Sequence, residues 1–147
     1  MGKSYISLQL NGFDDLLKKI EKAGGSIDAA VDSCMKESAQ IQQDALKEQM
    51  KKKGVDTKLI NRMPPSEVKW DGNRCEARVG YKKGKYDPKN LSDGYKVTFL
   101  NYGTPHRSKH GKVKALGFIK AAKKKARSPI KKKQKDTLER ILGGLNK

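Results

Sequence analysis

The sequence of 147 residues predicts an α+β fold, in which a small, mostly antiparallel sheet packs against a long helix and a C-terminal helix. Two patterns carry this prediction. Near the N-terminus and between residues 67 and 102, apolar and polar residues alternate over short segments, as is typical of half-buried strands. Over residues 13–52 and 117–147, apolar residues instead recur at intervals near 3.6, as is typical of amphipathic helices. The length suits a single domain covering residues 1–147.

The first half of the chain begins with a predicted strand and continues with two predicted helices. Alternation over residues 5–10 indicates the strand. An apolar face over residues 13–22 indicates a short helix, which Gly24-Gly25 ends. The next helix is predicted over residues 27–52, because Ser26 is a suitable N-cap and the helical periodicity continues to a run of lysines.

The middle of the chain combines irregular segments with predicted strands. Residues 54–66 are expected to be irregular, since a double proline near their end excludes a helix interior or a central strand. Residues 67–81 indicate a hairpin with Asp71-Gly72 at its turn. The polar residues 82–94 are expected to form a flexible, exposed loop. Residues 95–102 then indicate another strand, because they are rich in β-branched and aromatic residues.

The chain ends in a predicted basic helical region over residues 117–147. Ser128-Pro129 interrupts the pattern, so it allows either one kinked helix or two helices, with Pro129 as the first residue of the second. An apolar stripe shared across the interruption favours the kinked helix. We expect the stripe to be buried, and its members are Ile119, Ala122, Ile130, Leu138 and Ile141.

Positive charge is concentrated in the later part of the chain. The formal net charge is +18, and residues 51–147 hold 28 of the basic residues but only eight of the acidic ones. This asymmetry indicates either a polyanion or acidic partner, or a solvated lysine-rich surface that favours solubility. Lysine predominates over arginine, which suits non-specific attraction to phosphates more than the reading of bases. The candidate DNA or partner contacts are Arg107, Lys109, Lys112, Lys123, Lys124, Lys125, Lys131, Lys132 and Lys133.

No set of side chains in the sequence indicates catalysis, a bound metal or a cofactor. His106 and His110 have a spacing that could place both on one metal if they were helical, but they flank a basic loop without acidic neighbours. Cys34 and Cys75 are expected to be small buried hydrophobes, with no cue that lowers the pKa of either thiol. Trp70 is either a core anchor or an interface anchor. We therefore expect no enzyme activity.

Membrane association and secretion are also not expected. No apolar run approaches the ~20 residues that a membrane-spanning helix needs. The N-terminal segment lacks the apolar region of a signal peptide.

Residues 97–122 carry a pattern that resembles a known family. An apolar segment ends in Asn101-Tyr102-Gly103-Thr104, a variable basic loop follows, and a helix then begins near Phe118 and contains Ala121-Ala122. In these features the chain resembles the neck or tail-completion proteins (head–tail connectors) of long-tailed bacteriophages, the family named after gene product ten of phage HK97. That family usually has an acidic residue at the position of Asn101 and a proline at the position of Gly117. The matching motif residues are Tyr102, Gly103, Thr104, Phe118 and Ala122.

The resemblance implies a structural virion protein of a tailed bacteriophage rather than an enzyme. Such a protein would form part of the neck ring that joins the head connector to the tail. Its partners would be copies of itself, the head connector and the tail-tube or tail-terminator proteins, with transient contact to the genomic DNA. It would be assembled in the host cytoplasm and reside in the virion. The residues themselves leave an alternative open, a small nucleic-acid-binding protein that uses its lysine-rich C-terminal half without sequence specificity.

Overall fold

The computed structural model describes residues 2–104 and 114–146, which form three strands and five helices. The elements are β1 (Tyr5–Leu8), α1 (Asp14–Lys22), α2 (Ile27–Lys52), α3 (Thr57–Asn61), β2 (Glu67–Asp71), β3 (Arg74–Gly80), α4 (Asp93–Tyr102) and α5 (Phe118–Leu145). The predicted α+β class is confirmed, together with the first strand, the first two helices and the hairpin. Across the described ranges, none of the helices combines the length and apolarity needed to cross a bilayer.

The sheet is small and antiparallel, with β3 between β1 and β2. A two-residue turn joins β2 to β3, and Gly72 adopts a φ of +61° there, as the predicted hairpin requires. Ile6, Ala77 and Val79 are buried on the face that packs against α2. The free edges of the sheet are therefore β1 and β2.

The two long helices, α2 and α5, pack against each other in opposite directions. Cys34 near the start of α2 contacts Gln134 in α5, and Gln42 further along α2 contacts Ala122 near the start of α5. Helix α5 continues through Pro129, so the alternative of two separate helices is wrong. Buried apolar side chains on both sides of Pro129 hold the helix against α2 despite the missing amide.

The predicted strand over residues 95–102 is wrong, because these residues belong to helix α4. The Ser92 hydroxyl caps this helix by accepting a hydrogen bond from a main-chain amide of the first turn, and Asp93 supplies negative charge at the same end. Val97 and Asn101, four residues apart, are both buried. The β-branched and aromatic composition favours a strand locally, but capping and burial of one helix face outweigh that preference.

Two smaller expectations are corrected as well. Residues 54–66 are not irregular throughout, since Asp56 caps the short helix α3 by accepting a hydrogen bond from the Lys58 amide at 3.0 Å. Trp70 is not a core anchor, because it remains 39% exposed and its indole Nε1 donates to Asp32 at 3.4 Å. Its alternative role as an interface anchor stays a prediction.

The polar segment over residues 82–94 is only partly a free loop. Residues 84–90 are exposed, as predicted. The end of the segment instead belongs to α4, where Gly94 is buried and an added Cβ would lie 2.3 Å from the carbonyl oxygen of Lys82. Arg62 also holds this end by pairing with both carboxylate oxygens of Asp93, at 2.9 and 3.1 Å. The flexibility of the loop stays a prediction.

Candidate functional site

Helix α5 carries six of the predicted contact residues and presents them around a buried stripe. The predicted stripe is confirmed, since Ile119, Ala122, Ile130 and Leu138 are buried and Ile141 is half-buried. Burying an unpaired ammonium costs several kcal/mol, whereas each large apolar side chain contributes ~1.5–3 kcal/mol when buried. The helix accordingly keeps all six predicted lysines exposed: Lys123, Lys124, Lys125, Lys131, Lys132 and Lys133.

The side of α5 that faces β1 forms one wall of an open groove with a volume of about 230 Å³, which we call the β1–α5 groove. Lys123, Arg127 and Lys131 line this wall at intervals of four residues, so they share one face of the helix. The opposite wall is β1 and the residues that follow it. The Lys131 side chain crosses the end of the groove, and its Nζ donates to the Asn11 carbonyl oxygen at 2.9 Å.

The cations of the β1–α5 groove have no carboxylate partner within the described part of the chain. No Asp or Glu oxygen there lies within 4.0 Å of the charged atoms of Lys123, Arg127 or Lys131. Lys131 lies 5.3 Å from the ring centroid of Phe13, a cation–π contact that does not neutralise its charge. A second exposed row, which we call the outer ridge, is likewise without ion pairs and consists of Lys120, Lys124 and Lys132.

On the opposite flank of α5, which we call the paired flank, Lys125 and Arg140 form ion pairs with α2. The predicted contact residue Lys133 is exposed and forms no ion pair among the described residues. Lys125 forms an ion pair with Glu48, and Arg140 Nη2 lies 3.3 Å from Glu37 Oε1. The hydrogen bond from Lys125 lowers the pKa of the Glu48 carboxyl, and Glu48 raises the pKa of Lys125. Thr137 donates a further hydrogen bond to Glu37. A polyanion would therefore find little free charge at Lys125 and Arg140.

Buried polar side chains between α2 and α5 fix how the two helices align. Gln42 Nε2 donates to the Ala122 carbonyl oxygen at 3.1 Å, and Gln134 Nε2 donates to Ser38 Oγ at 3.0 Å. Ser38 in turn donates to the Cys34 carbonyl oxygen at 2.7 Å. Sequence reasoning missed Ser38, Gln42 and Gln134, although Ser38 and Gln42 follow Cys34 at intervals of four residues along α2.

The end of α4 and the start of α5 are joined by a compact set of hydrogen bonds, which we call the α4–α5 clasp. The Leu116 and Gly117 amides donate to the carbonyl oxygens of Leu100 and Asn101 at 3.0 and 3.1 Å. The Ile119 amide donates to the side-chain oxygen Oδ1 of Asn101 at 2.8 Å. Asn101 therefore supplies an acceptor to the first turn of α5, which has no side-chain cap of its own.

The residues of the family motif take part in this region. Gly103 ends α4 with a φ of +78°, which glycine adopts without strain, and its amide donates to the Phe99 carbonyl oxygen at 2.8 Å. Phe118 and Ala122 are fully buried at the start of α5. Tyr102 is 44% exposed, and its hydroxyl donates to the Lys3 carbonyl oxygen at 3.1 Å. Thr104 is half-buried.

A second cavity, with a volume of about 270 Å³, opens beside the outer face of the sheet. Two of its basic side chains have carboxylate partners: Lys82 pairs with Glu67 at 3.0 Å, and Arg78 Nε lies 3.3 Å from Glu76 Oε1. The charges around this cavity are therefore better balanced than those of the β1–α5 groove. The charged residues on the outer face of the hairpin could have indicated this cavity from the sequence, but sequence reasoning did not use them.

The pKa of each cysteine thiol is raised rather than lowered. Burial raises the pKa of the Cys34 thiol to about 11, and the charge of Glu37 acts in the same direction. Burial also raises the pKa of Cys75, which is half-buried rather than fully buried. Over residues 2–104 and 114–146, no three or more His, Cys, Asp or Glu side chains are grouped so that they could hold a metal ion.

The remaining residues that the sequence singles out lie outside the described ranges. They are the candidate contacts Arg107, Lys109 and Lys112, and the histidines His106 and His110. The six predicted contact residues on α5 all lie within the described ranges.

Comparison of the chain with protein-family models, curated proteins and solved structures finds no match in any of the three. The α4–α5 clasp and the unequal flanks of α5 are therefore the basis for a functional proposal.

Proposed function

We propose that the protein is a structural subunit of a tailed-bacteriophage neck, where copies of it form part of the ring between head connector and tail. The α4–α5 clasp is the observation that carries this proposal. The family that the chain resembles usually has an acidic residue where this chain has Asn101. The clasp uses only a side-chain oxygen at that position. Asn, Asp and Glu all supply such an oxygen, so the departure from the family pattern preserves the acceptor.

The role would be mechanical rather than catalytic. In a ring, one surface of each protomer meets a different surface of the next, and the ring closes by rotation. Exposed aromatic side chains are typical anchors of such contacts, and this chain exposes Trp70, Tyr86 and Tyr102. Contacts above and below the ring would involve the head connector and the tail-tube or tail-terminator proteins. The unpaired cations of α5 would lie near the path of the genome or against an acidic neighbour.

Ring formation tests the proposal directly. We expect the purified chain, alone or mixed with connector and tail-tube proteins of the same virion, to form particles several times its 16.4 kDa mass that appear as closed rings in negative-stain images. Trp70→Ser should weaken assembly without unfolding the protomer, because the indole is exposed; Lys85→Ser, also exposed, is the control. A chain that stays monomeric in every mixture contradicts the proposal.

The second candidate is a small protein that binds nucleic acid without sequence specificity. The observation in its favour is the six unpaired cations of the β1–α5 groove and the outer ridge. Titration of duplex DNA binding against salt separates the two candidates. Submicromolar binding by the monomer that weakens steeply with salt favours this candidate, since log K falls by about 0.9 per neutralised phosphate for each tenfold rise in salt. Weak DNA binding together with rings favours the neck subunit.

A further inference from the structure

We propose that the β1–α5 groove binds an extended, acidic peptide segment of a partner protein, which adds a fourth strand to the free edge of β1. The DNA-binding candidate would use the same groove cations. Neither candidate requires main-chain pairing with the edge of β1, so strand addition can hold or fail independently of both. It rests on three observations: the free edge of β1, the unpaired cations on the facing wall, and the spacing of those cations.

The edge of β1 that faces away from β3 has main-chain groups available for pairing. The Tyr81 amide donates to the Ser4 carbonyl oxygen at 3.0 Å, so Ser4 is a hydrogen-bonded member of the antiparallel pair. In the regular register that follows, Ile6 and Leu8 also point their amides and carbonyls toward β3, whereas those of Ser7 point outward. Within residues 2–104 and 114–146, no hydrogen bond occupies the outward main-chain groups of Ser7.

The facing wall of the groove supplies the charge complement. Lys123, Arg127 and Lys131 line it without carboxylate partners, in contrast to Lys125 and Arg140 on the paired flank. An acidic strand in the groove would therefore gain main-chain hydrogen bonds on one side and ion pairs on the other. Strand addition of this kind takes its affinity from the main chain and its selectivity from alternate side chains.

The spacing of the cations suits an extended chain with acidic residues at alternate positions. Residues four apart on a helix are separated by about 6 Å along its axis. Alternate residues of a strand are separated by about 6.7 Å. Over the two steps from Lys123 to Lys131 the mismatch is therefore about 1.5 Å, which long lysine and arginine side chains can absorb.

The partner is a different protein rather than a second copy of this chain. Nowhere in the 147 residues are two acidic residues separated by a single residue, so the chain has no segment with the required alternation. A nucleic acid would use the cations but not the edge of β1, because its backbone has no peptide groups to continue a sheet. The ligand chemistry that fits both walls is a peptide with alternating carboxylates.

A synthetic peptide tests the proposal on the full chain. The probe has eight residues, with Asp at alternate positions and Val or Thr between them, and carries a fluorescent label. The control peptide has the same composition with its acidic residues adjacent to one another. Fluorescence anisotropy should show that the alternating peptide binds about tenfold more tightly than the control, since only it matches the cation spacing. Equal affinities, or no binding of the alternating peptide, would overturn the proposal.

Two matched triple variants separate the groove from general attraction to charge. Lys123→Gln, Arg127→Gln and Lys131→Gln together should weaken binding of the alternating peptide about tenfold or more, because each ion pair is lost. Lys120→Gln, Lys124→Gln and Lys132→Gln remove the same charge from the outer ridge and should change the Kd by about twofold or less, as expected for distant surface charges. Equal losses in the two variants would mean non-specific attraction and would overturn the proposal.

Methylation of the peptide main chain tests strand addition itself without altering the protein. In an added strand, only every second amide points toward β1. Methylating one set of alternate nitrogens should therefore abolish binding, whereas methylating the other set should leave it within about threefold. Equal effects of the two sets, in either direction, would exclude pairing with β1. Binding of duplex DNA with no detectable binding of the peptide would exclude it as well.

Discussion

Both flanks of α5 carry lysine and arginine side chains, but the flanks differ in whether those side chains form ion pairs. On the paired flank, Lys125 and Arg140 meet Glu48 and Glu37 of α2. On the flank toward β1, Lys123, Arg127 and Lys131 meet a strand edge and no carboxylate among the described residues. The helix sequence alone does not distinguish these flanks, since lysines occur on both. The free charge of a basic helix is therefore set by the elements that pack beside it.

The largest expected effect comes from breaking the buried stripe that separates the flanks. Leu138→Asp places a carboxylate at a fully buried position between α1, α2 and α5. We expect a loss of unfolding free energy on the order of 4 kcal/mol or more, because a cavity and a buried unpaired charge add together. Urea unfolding followed by circular dichroism measures it. Lys124→Asp on the outer ridge is the control; if both variants unfold at the same urea concentration, the helix faces are wrongly assigned.

The clasp that begins α5 gives the next largest effect. Asn101→Ala removes the acceptor of the Ile119 amide and should cost about 1–2 kcal/mol of unfolding free energy, as lost helix caps usually do. Asn101→Asp keeps an acceptor for the Ile119 amide, so it should be less destabilising than the alanine variant. Its charge is favourable at the N-terminus of α5 but unfavourable in the last turn of α4, so the electrostatic contributions oppose each other. Thermal melts of the two variants check this, and a reversed order would show that the clasp does not use the side-chain oxygen.

Glycine substitutions compare the clasp with the far end of α5. Gly103→Val forces a branched residue to a φ of +78° and should cost roughly 1 kcal/mol or more. Gly143→Ala meets no atom within 4 Å and lies in the helix, so it should stabilise by ~0.5–1 kcal/mol. The two melting temperatures should thus shift in opposite directions. An unchanged melting temperature for Gly103→Val would contradict the requirement for a positive φ at this position.

The smallest expected effect is a difference in melting temperature between variants of one lysine from each flank, measured at two pH values. The lowered pKa of Glu48 stabilises the fold above the ordinary carboxyl pKa of 4.5, and this stabilisation is lost as pH falls through the lowered value. The raised pKa of Lys125 stabilises below its ordinary value of 10.5 and is lost as pH rises through the raised value. Both groups are therefore charged and paired at neutral pH.

Lys125→Gln should accordingly lower the melting temperature slightly at neutral pH but not at a pH low enough to protonate Glu48. Lys123→Gln, on the unpaired flank, should lower it at neither pH, since no carboxylate is lost there. If Lys123→Gln proves as destabilising as Lys125→Gln, the contrast between the flanks is not maintained in solution.

Prediction from sequence succeeded where one local signal dominated and failed where local signals competed or distant residues decided the outcome. The cap at Ser26 and continuous periodicity gave the bounds of α2, and the pattern on α5 gave its buried and exposed faces. Residues 95–102 were wrongly assigned, because β-branched and aromatic side chains favour a strand unless a capped helix buries one face of them. Trp70 was open to two interpretations, and only the position of β2 at a sheet edge shows that it is exposed.

The sequence by itself determined the α+β class, the hairpin, the length of α2 and the exposure of the lysines, because capping, turn chemistry and periodicity act within a few residues. Only the tertiary structure decided which of those lysines have free charge. Glu48 and Lys125 are 77 residues apart, and no local rule predicts that they meet. The same holds for the β1–α5 groove, whose walls are separated by more than 100 residues and come together because α2 packs against both the sheet and α5.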